Sequence, residues 1–192
     1  MNDIFDLTGK TAIITGASSG LGKHFAKTLS AAGANLVICA RRVQNLEELK
    51  NEIDTEVLVL PIDVTSEESV LGFFSEVRNS IGSADILINN ASIFEYDNLK
   101  SADLTSWDRH LDSNLRSAVF LTQEFSEQAP KMTNKNNGLP FATSNVINII
   151  DQRVRKITPD FMSYTTAKIG LWGFTQSSAQ FLAPNIRVNA IG

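Results

Sequence analysis

Tyr164 and Lys168 stand four residues apart in SYTTAKIG, and Asp151 closes the apolar run NVINII a little upstream. A phenol and an ammonium at i and i+4 share one face of a helix. A free phenol ionises near pH ~10, too high for easy proton exchange at neutral pH, and a neighbouring ammonium favours the phenolate. Such a pair can pass a proton to a substrate. A carboxylate beside it opposes ionisation of the phenol, and accepts from substrate N–H groups more strongly than a hydroxyl does. Taken separately, the same residues also describe a surface lysine, a packed tyrosine and a turn-capping aspartate.

A second group of residues could hold phosphates. TGASSGLG at 15–22 sets Gly16, Gly20 and Gly22 between an apolar run and a helical pattern, with Ser18, Ser19 and Leu21 on the same turn. Gly16 allows a tight turn, Gly20 lets the backbone approach a pyrophosphate, and Gly22 lets the helix pack close to the sheet. The helix start then offers unpaired N–H groups to the phosphates. The next apolar run, NLVICA, ends in Ala40, Arg41 and Arg42 with no acid. A carboxylate there would hold a ribose 2′-hydroxyl, whereas a guanidinium pairs with a 2′-phosphate. NADP(H) is therefore the expected cofactor, unless the two arginines are solvated surface at a helix start. Asp63 and Val64, which follow the third run, could contact adenine; Asp63 could equally be a turn residue.

The elements that must carry these residues alternate. Apolar runs at 11–15, 35–40, 56–62, 84–90, 145–150 and 186–191 mostly lack a polar face, as strands covered on both sides do. Helical patterns occupy 20–33, 43–53, 66–81, 103–132 and 161–182. Thr65-x-x-Glu68 reads as a capping box for the third helix, and 133–144 as a polar loop. This is the pattern of an α/β, Rossmann-like, doubly wound parallel sheet with helices on both faces. The whole chain, 1–192, reads as one domain.

Composition narrows the partners. The 192 residues are 43% hydrophobic and 20% charged, with net charge −4 and no block of five like charges. That balance gives little support to nucleic acid or a membrane surface as a partner; a small-molecule substrate is the expected one. There is no signal-like start and no apolar run near the ~20 residues of a membrane span, so a cytoplasmic protein is expected. The one cysteine, Cys39, reads as a core packer. His24 and His110 read as surface or packing residues, and no metal site is expected.

Four motifs stand in order: TGASSGLG, NNAS at 89–92, Asn114 in HLDSNLRSAVF, and Tyr164-x-x-x-Lys168. Together they resemble the short-chain dehydrogenase/reductase family over nearly the whole chain, with Ser92 where the family's NNAG carries glycine. The resemblance implies that Tyr164 gives a proton as hydride arrives from NADPH and that Lys168 also holds the nicotinamide ribose. It implies that Asn114 positions a water in a proton relay, and that Asn90 and Ala91 lie at the cofactor. It also implies a homodimer or homotetramer packed through the long helices. Most members carry Ser where Asp151 stands. Asp151 with NNAS resembles the pteridine reductase and dihydromonapterin reductase branch, in which Ser92 and Phe94 match pterin-contacting residues. Phe94 would then form one face of a slot closed by the nicotinamide, or else be a loop aromatic packed on the core. Many pteridine reductases carry Arg where Gly20 stands. The family continues past IRVNAIG with a Pro-Gly turn, a lid and a further strand. The chain is thus expected to be C-terminally incomplete, its sixth strand an exposed edge. Implied activities are NADPH-dependent reduction of a C=N or C=O bond, as in a pterin or dihydrofolate, or generic carbonyl reductase or alcohol dehydrogenase chemistry. A truncated, catalytically weak NADP-binding module is the other reading.

Overall fold

Runs of Val, Ile and Leu that lack a polar alternation need cover on both faces, and the structure supplies it. The computed structural model describes residues 6–134 and 140–192. Its main sheet holds β1 (Thr11–Thr15), β2 (Asn35–Ala40), β3 (Val57–Pro61), β4 (Ile86–Asn89), β7 (Ser144–Ile149) and β8 (Ile186–Ile191). Their order is β3-β2-β1-β4-β7-β8, every pair parallel. The helices are α1 (Gly20–Ala31), α2 (Val43–Lys50), α3 (Glu67–Ile81), α4 (Leu104–Leu111), α5 (Ser117–Gln128) and α6 (Met162–Leu182). Alternate strand residues serve opposite faces. Ile13, Val37, Leu87 and Val146 pack with Phe73, Phe74 and Phe125 of α3 and α5. Ala12, Ile14, Leu36 and Ile38 pack with Ala26, Leu46 and Leu49 of α1 and α2. Cys39 is fully buried, and burial pushes its thiol pKa up.

The strand order reverses between β1 and β4. That opens a crevice at the carboxyl ends of the strands, where open α/β sheets bind ligands.

The expected 103–132 helix runs from Leu104 to Gln128 and changes its winding midway. Asp112–Arg116 form a π turn between α4 and α5, and α5 ends at Gln128. The capping box expected at Thr65 is also corrected. Ser66 caps α3 by accepting from the Ser69 N–H, while Thr65 turns back to the Asp63 carboxylate. Within the expected loop at 133–144, β5 (Thr133–Asn134) and β6 (Pro140–Phe141) pair antiparallel; 135–139 lie outside the described residues. Among the described residues no helix is long and apolar enough to cross a membrane.

A polar seam crosses the core. The Asn89 amide nitrogen donates to Asn148 Oδ1 at 2.8 Å and to Thr122 Oγ1 at 3.2 Å, and that of Asn148 donates to Thr175 Oγ1 at 2.9 Å. The seam ties β4 and β7 to α5 and α6. Asn148→Ala strips partners from groups that water cannot reach, and it should cost about 1–3 kcal/mol. Urea unfolding of the two proteins measures it.

Candidate functional site

The glycine turn is anchored from the fourth strand. Thr15 Oγ1 accepts from the backbone N–H groups of Asn90 and Ala91, both at 3.0 Å. The Asn90 amide donates to the carbonyls of Thr15 (2.9 Å) and Gly16 (3.3 Å). Gly16 and Gly20 both have positive φ, 67° and 55°, which side chains rarely adopt. A Cβ on Gly22 would lie 2.4 Å from the Gly16 carbonyl oxygen, so helix and turn touch backbone to backbone. No side chain caps α1, and a Cβ at Gly20 would meet nothing within 4 Å. The helix start is thus open to an anion, as a bound pyrophosphate requires.

A cleft of about 730 Å³ runs from this turn across the carboxyl ends of the strands. One end is lined by Gly16, Ser18, Ser19 and Leu21, with Arg41, Arg42, Asp63 and Val64 beyond them. Both arginines are exposed. The Thr65 hydroxyl and backbone N–H hold the Asp63 carboxyl below its usual range, and Arg41 adds a smaller pull. The other end is lined by Asn90, Ala91, Ser92, Asp151, Tyr164 and Lys168. The residues singled out in the sequence thus share one cleft, apart from Gly20, Gly22, Phe94 and Asn114. Gly20 and Gly22 belong to the turn itself.

Asp151 follows β7. Its Oδ1 accepts the Arg153 N–H at 2.8 Å, with the Arg153 guanidinium at 3.6 Å, and its Oδ2 accepts the Tyr164 hydroxyl at 3.1 Å. Tyr164 is buried; that burial, then the Asp151 charge and hydrogen bond, push its pKa well above the ordinary phenol value, against a smaller pull from Arg153. Lys168, one turn on, donates to the Ile149 carbonyl at 2.8 Å. Burial pulls its pKa down to about 8, opposed by Asp151.

Asn114 is buried within the π turn. Its Oδ1 accepts from the Ile93 N–H (2.8 Å) and the Ser92 hydroxyl (3.1 Å), and its amide donates to the Ile93 carbonyl (2.9 Å). The side chain therefore holds the segment after β4. Phe94 is half-exposed, stacked on Phe161 at 4.2 Å and edge-on to Tyr164 at 4.7 Å. One of its faces is already covered by a side chain.

Several neighbours were not singled out as site residues. Arg153 lies 5.3 and 5.0 Å from the Phe94 and Phe161 ring centroids. Ser163, next to Tyr164 in the chain, is buried with Asp97 bonded to it, and His110, expected as a surface or packing residue, is fully buried and hydrogen-bonded. IDQRV, an acid and an arginine two apart after a strand, was the available signal for Arg153. Asp97 and Ser163 carry none, because their partners lie far along the chain.

The family model described as short chain dehydrogenase matches residues 10–192. A short-chain dehydrogenase/reductase, dpchG, of Colletotrichum higginsianum (strain IMI 349063) is 32% identical over 96% of this chain and 68% of its own. Among solved structures, FolM alternative dihydrofolate reductase 1 from Brucella canis, complexed with NADP, superposes with TM-score 0.85 at 33% identity. The match covers 97% of this chain and 73% of that one. L-sorbose reductase from Gluconobacter frateurii, complexed with NADPH and L-sorbose, gives 0.85 at 28% identity, over 98% and 70%.

Lys168 makes the cleft's cost measurable. Its folded pKa, about 8, lies below the ordinary 10.5, so between those values the unfolded chain binds more protons. Stability should therefore rise with pH across that window, and the burial penalty is full below it. In Lys168→Met this rise should be missing from denaturant unfolding measured at a series of pH values.

Proposed function

The chain belongs to the short-chain dehydrogenase family, and from that membership we propose that it is an NADPH-dependent reductase of a C=N or C=O bond in a small planar substrate of the pterin or dihydrofolate class. The observation that carries the substrate class is the Tyr164 hydroxyl bonded to Asp151 Oδ2 at 3.1 Å, at one end of a cleft whose other end is a glycine turn. Residues 1–192 act in this reading as one dinucleotide-binding domain.

The open start of α1 and the turn at Gly16 and Gly20 receive the pyrophosphate. Arg41 and Arg42 receive the 2′-phosphate, since no carboxylate stands at the end of β2 to repel it. Lys168, near neutrality in its ionisation, reaches the nicotinamide ribose. NADPH, when bound, supplies the hydride. Tyr164 supplies the proton to the substrate nitrogen or oxygen, its O–H turning from Asp151 into the cleft. Because burial and Asp151 hold the phenol protonated, the pair favours donation, hence reduction. Asp151 then accepts from substrate N–H groups. Phe94 offers its exposed face to a flat ring, and Ser92 lies beside it. Two neighbours support the reading: a dihydrofolate reductase solved with NADP and a sugar reductase solved with NADPH. The first carries the pterin alternative, and the second the generic carbonyl one.

Titration calorimetry should show tighter binding of NADPH than of NADH, and Arg41→Asp should reverse the order, because it exchanges a pairing charge for a repulsive one. Equal affinity of the unaltered protein for both would remove the NADP assignment.

Asp151→Ser should weaken reduction of a dihydropterin while sparing a small ketone. Removing the carboxylate also lowers the Tyr164 pKa, so the alkaline loss of rate should begin at lower pH. Paired pH–rate curves on both substrates measure this. If they superpose on those of the unaltered protein, Asp151 is a loop residue and the reading falls back to a generic carbonyl reductase.

A further inference from the structure

The chemistry above employs Tyr164, Lys168 and Asp151 and leaves another set of buried groups without a task. Asp97, His110 and Ser163 are 2%, 0% and 0% exposed. They lie behind Tyr164, whose ring centroid is 6.0 Å from that of the His110 imidazole.

The start of α6 explains why they gather there. The first N–H groups of a helix need partners from outside it. Phe161, the residue before α6, has no side-chain cap to offer and sits at φ 59°, a left-handed conformation unfavourable for a bulky side chain. Asp97 meets both needs from another part of the chain. Its carbonyl accepts the Phe161 N–H at 2.7 Å, its Oδ1 accepts the Ser163 N–H at 3.3 Å, and its Oδ2 accepts the Ser163 hydroxyl. A carboxylate at this end of a helix also meets the positive end of the helix dipole. Burial opposes the Asp97 charge, yet the Ser163 hydroxyl and N–H and the Met162 N–H hold its carboxyl below the usual range.

The circuit closes through α4. The Ser106 hydroxyl donates to Asp97 Oδ2 at 3.3 Å. His110 Nε2 accepts the Glu95 N–H at 3.2 Å, so the hydrogen of the neutral ring lies on Nδ1. That nitrogen faces Ser163 Oγ at 2.7 Å and the Ser106 carbonyl at 3.0 Å. The Nδ1 hydrogen is shared between these two acceptors, and the Ser163 hydroxyl passes its own to Asp97. Tyr164 is the next residue in the chain.

We propose that Asp97, Ser163 and His110 are positioning residues, a buried circuit that fixes the first turn of α6 and so holds the Tyr164 hydroxyl against Asp151. The catalytic consequence rests on the reading of Tyr164 as proton donor. The charged and titratable groups facing Tyr164 are Asp151 and Arg153 from the segment after β7, Lys168 from its own helix and His110 from α4, with Asp97, from the segment after β4, reaching it through Ser163.

The chain has two tyrosines, so Tyr96→Phe leaves Tyr164 as its one phenol. In that background Ser163→Ala should loosen the turn and admit water. Phenolate absorbance should then appear at lower pH than with Ser163 intact, while circular dichroism reports a folded protein. In turnover, Ser163→Ala should lower kcat by about ten- to a hundred-fold with NADPH affinity kept, because misplacing a reacting group costs rate more than binding. Ser163→Thr, which keeps the hydroxyl, should recover the rate. An unmoved phenol titration overturns the proposal, as does a loss of NADPH affinity equal to the loss of kcat. Should Ser163→Ala not fold, Asp97→Asn, which removes the charge and keeps an acceptor, reads the same titration. If the unaltered protein oxidises no NADPH, the reductase reading fails, and the titration still decides the circuit.

Discussion

Thr15 and Asn90 join the two halves of the sheet at the point where its strand order reverses, and the cleft depends on that joint. The Thr15 hydroxyl donates to the Ile88 carbonyl at 3.3 Å and accepts two backbone N–H groups from the segment after β4. The Asn90 amide returns two hydrogen bonds to the carbonyls of Thr15 and Gly16. These bonds are largely shielded from water, where an unmatched polar group is costly. They lock the glycine turn to the segment that leads on to Ser92 and Phe94. The turn that would face phosphates and the segment that would face a substrate are thus referenced to one another by backbone geometry. Gly22 completes the joint, since even a methyl group there would collide with the Gly16 carbonyl.

At the other end of the cleft the electrostatics separate two groups that could exchange roles. Burial favours the neutral form of both Tyr164 and Lys168, and Asp151 resists phenol ionisation while favouring the ammonium. The phenol keeps its proton far into alkali, and the amine titrates near pH 8. Pairs whose environments push their ionisations apart are how a site divides acid and base tasks. Asp151 serves this division with one oxygen and orders Arg153 with the other. A serine hydroxyl at that position would supply neither the charge nor the second acceptor.

Much of this was legible in the sequence because its signals are local. The strands showed as unbroken apolar runs, the turn as spaced glycines, and the Tyr164–Lys168 pair as a helical interval. Signals that need a distant partner were silent. Asp97 caps a helix that begins 65 positions later, and nothing near it marks a cap. His110 looked like any polar residue on an amphipathic helix, although its surroundings come from three segments. The π turn at Asp112–Arg116 interrupts a pattern that reads as one continuous helix, because one extra residue per turn leaves no compositional trace. The left-handed Phe161 runs against intrinsic preference and is intelligible only once Asp97 is in place. Thr65 and Ser66 differ by one position, which is within the reach of a hydroxyl choosing between two N–H groups.

The strand order also bears on how the chain is made. A ribosome delivers β1, β2 and β3 in sequence, and these can pair on one side of β1 as they emerge. The other side of β1 waits for β4, some seventy residues later. Until then the nascent sheet has an open parallel edge formed by Ala12, Ile13 and Ile14, with the Thr15 hydroxyl unmatched. Unpaired apolar edges recruit other chains. The strand that later lies inside the sheet is thus an adhesive border during translation, until Ile86–Ile88 pair with it and Asn90 meets the Thr15 hydroxyl.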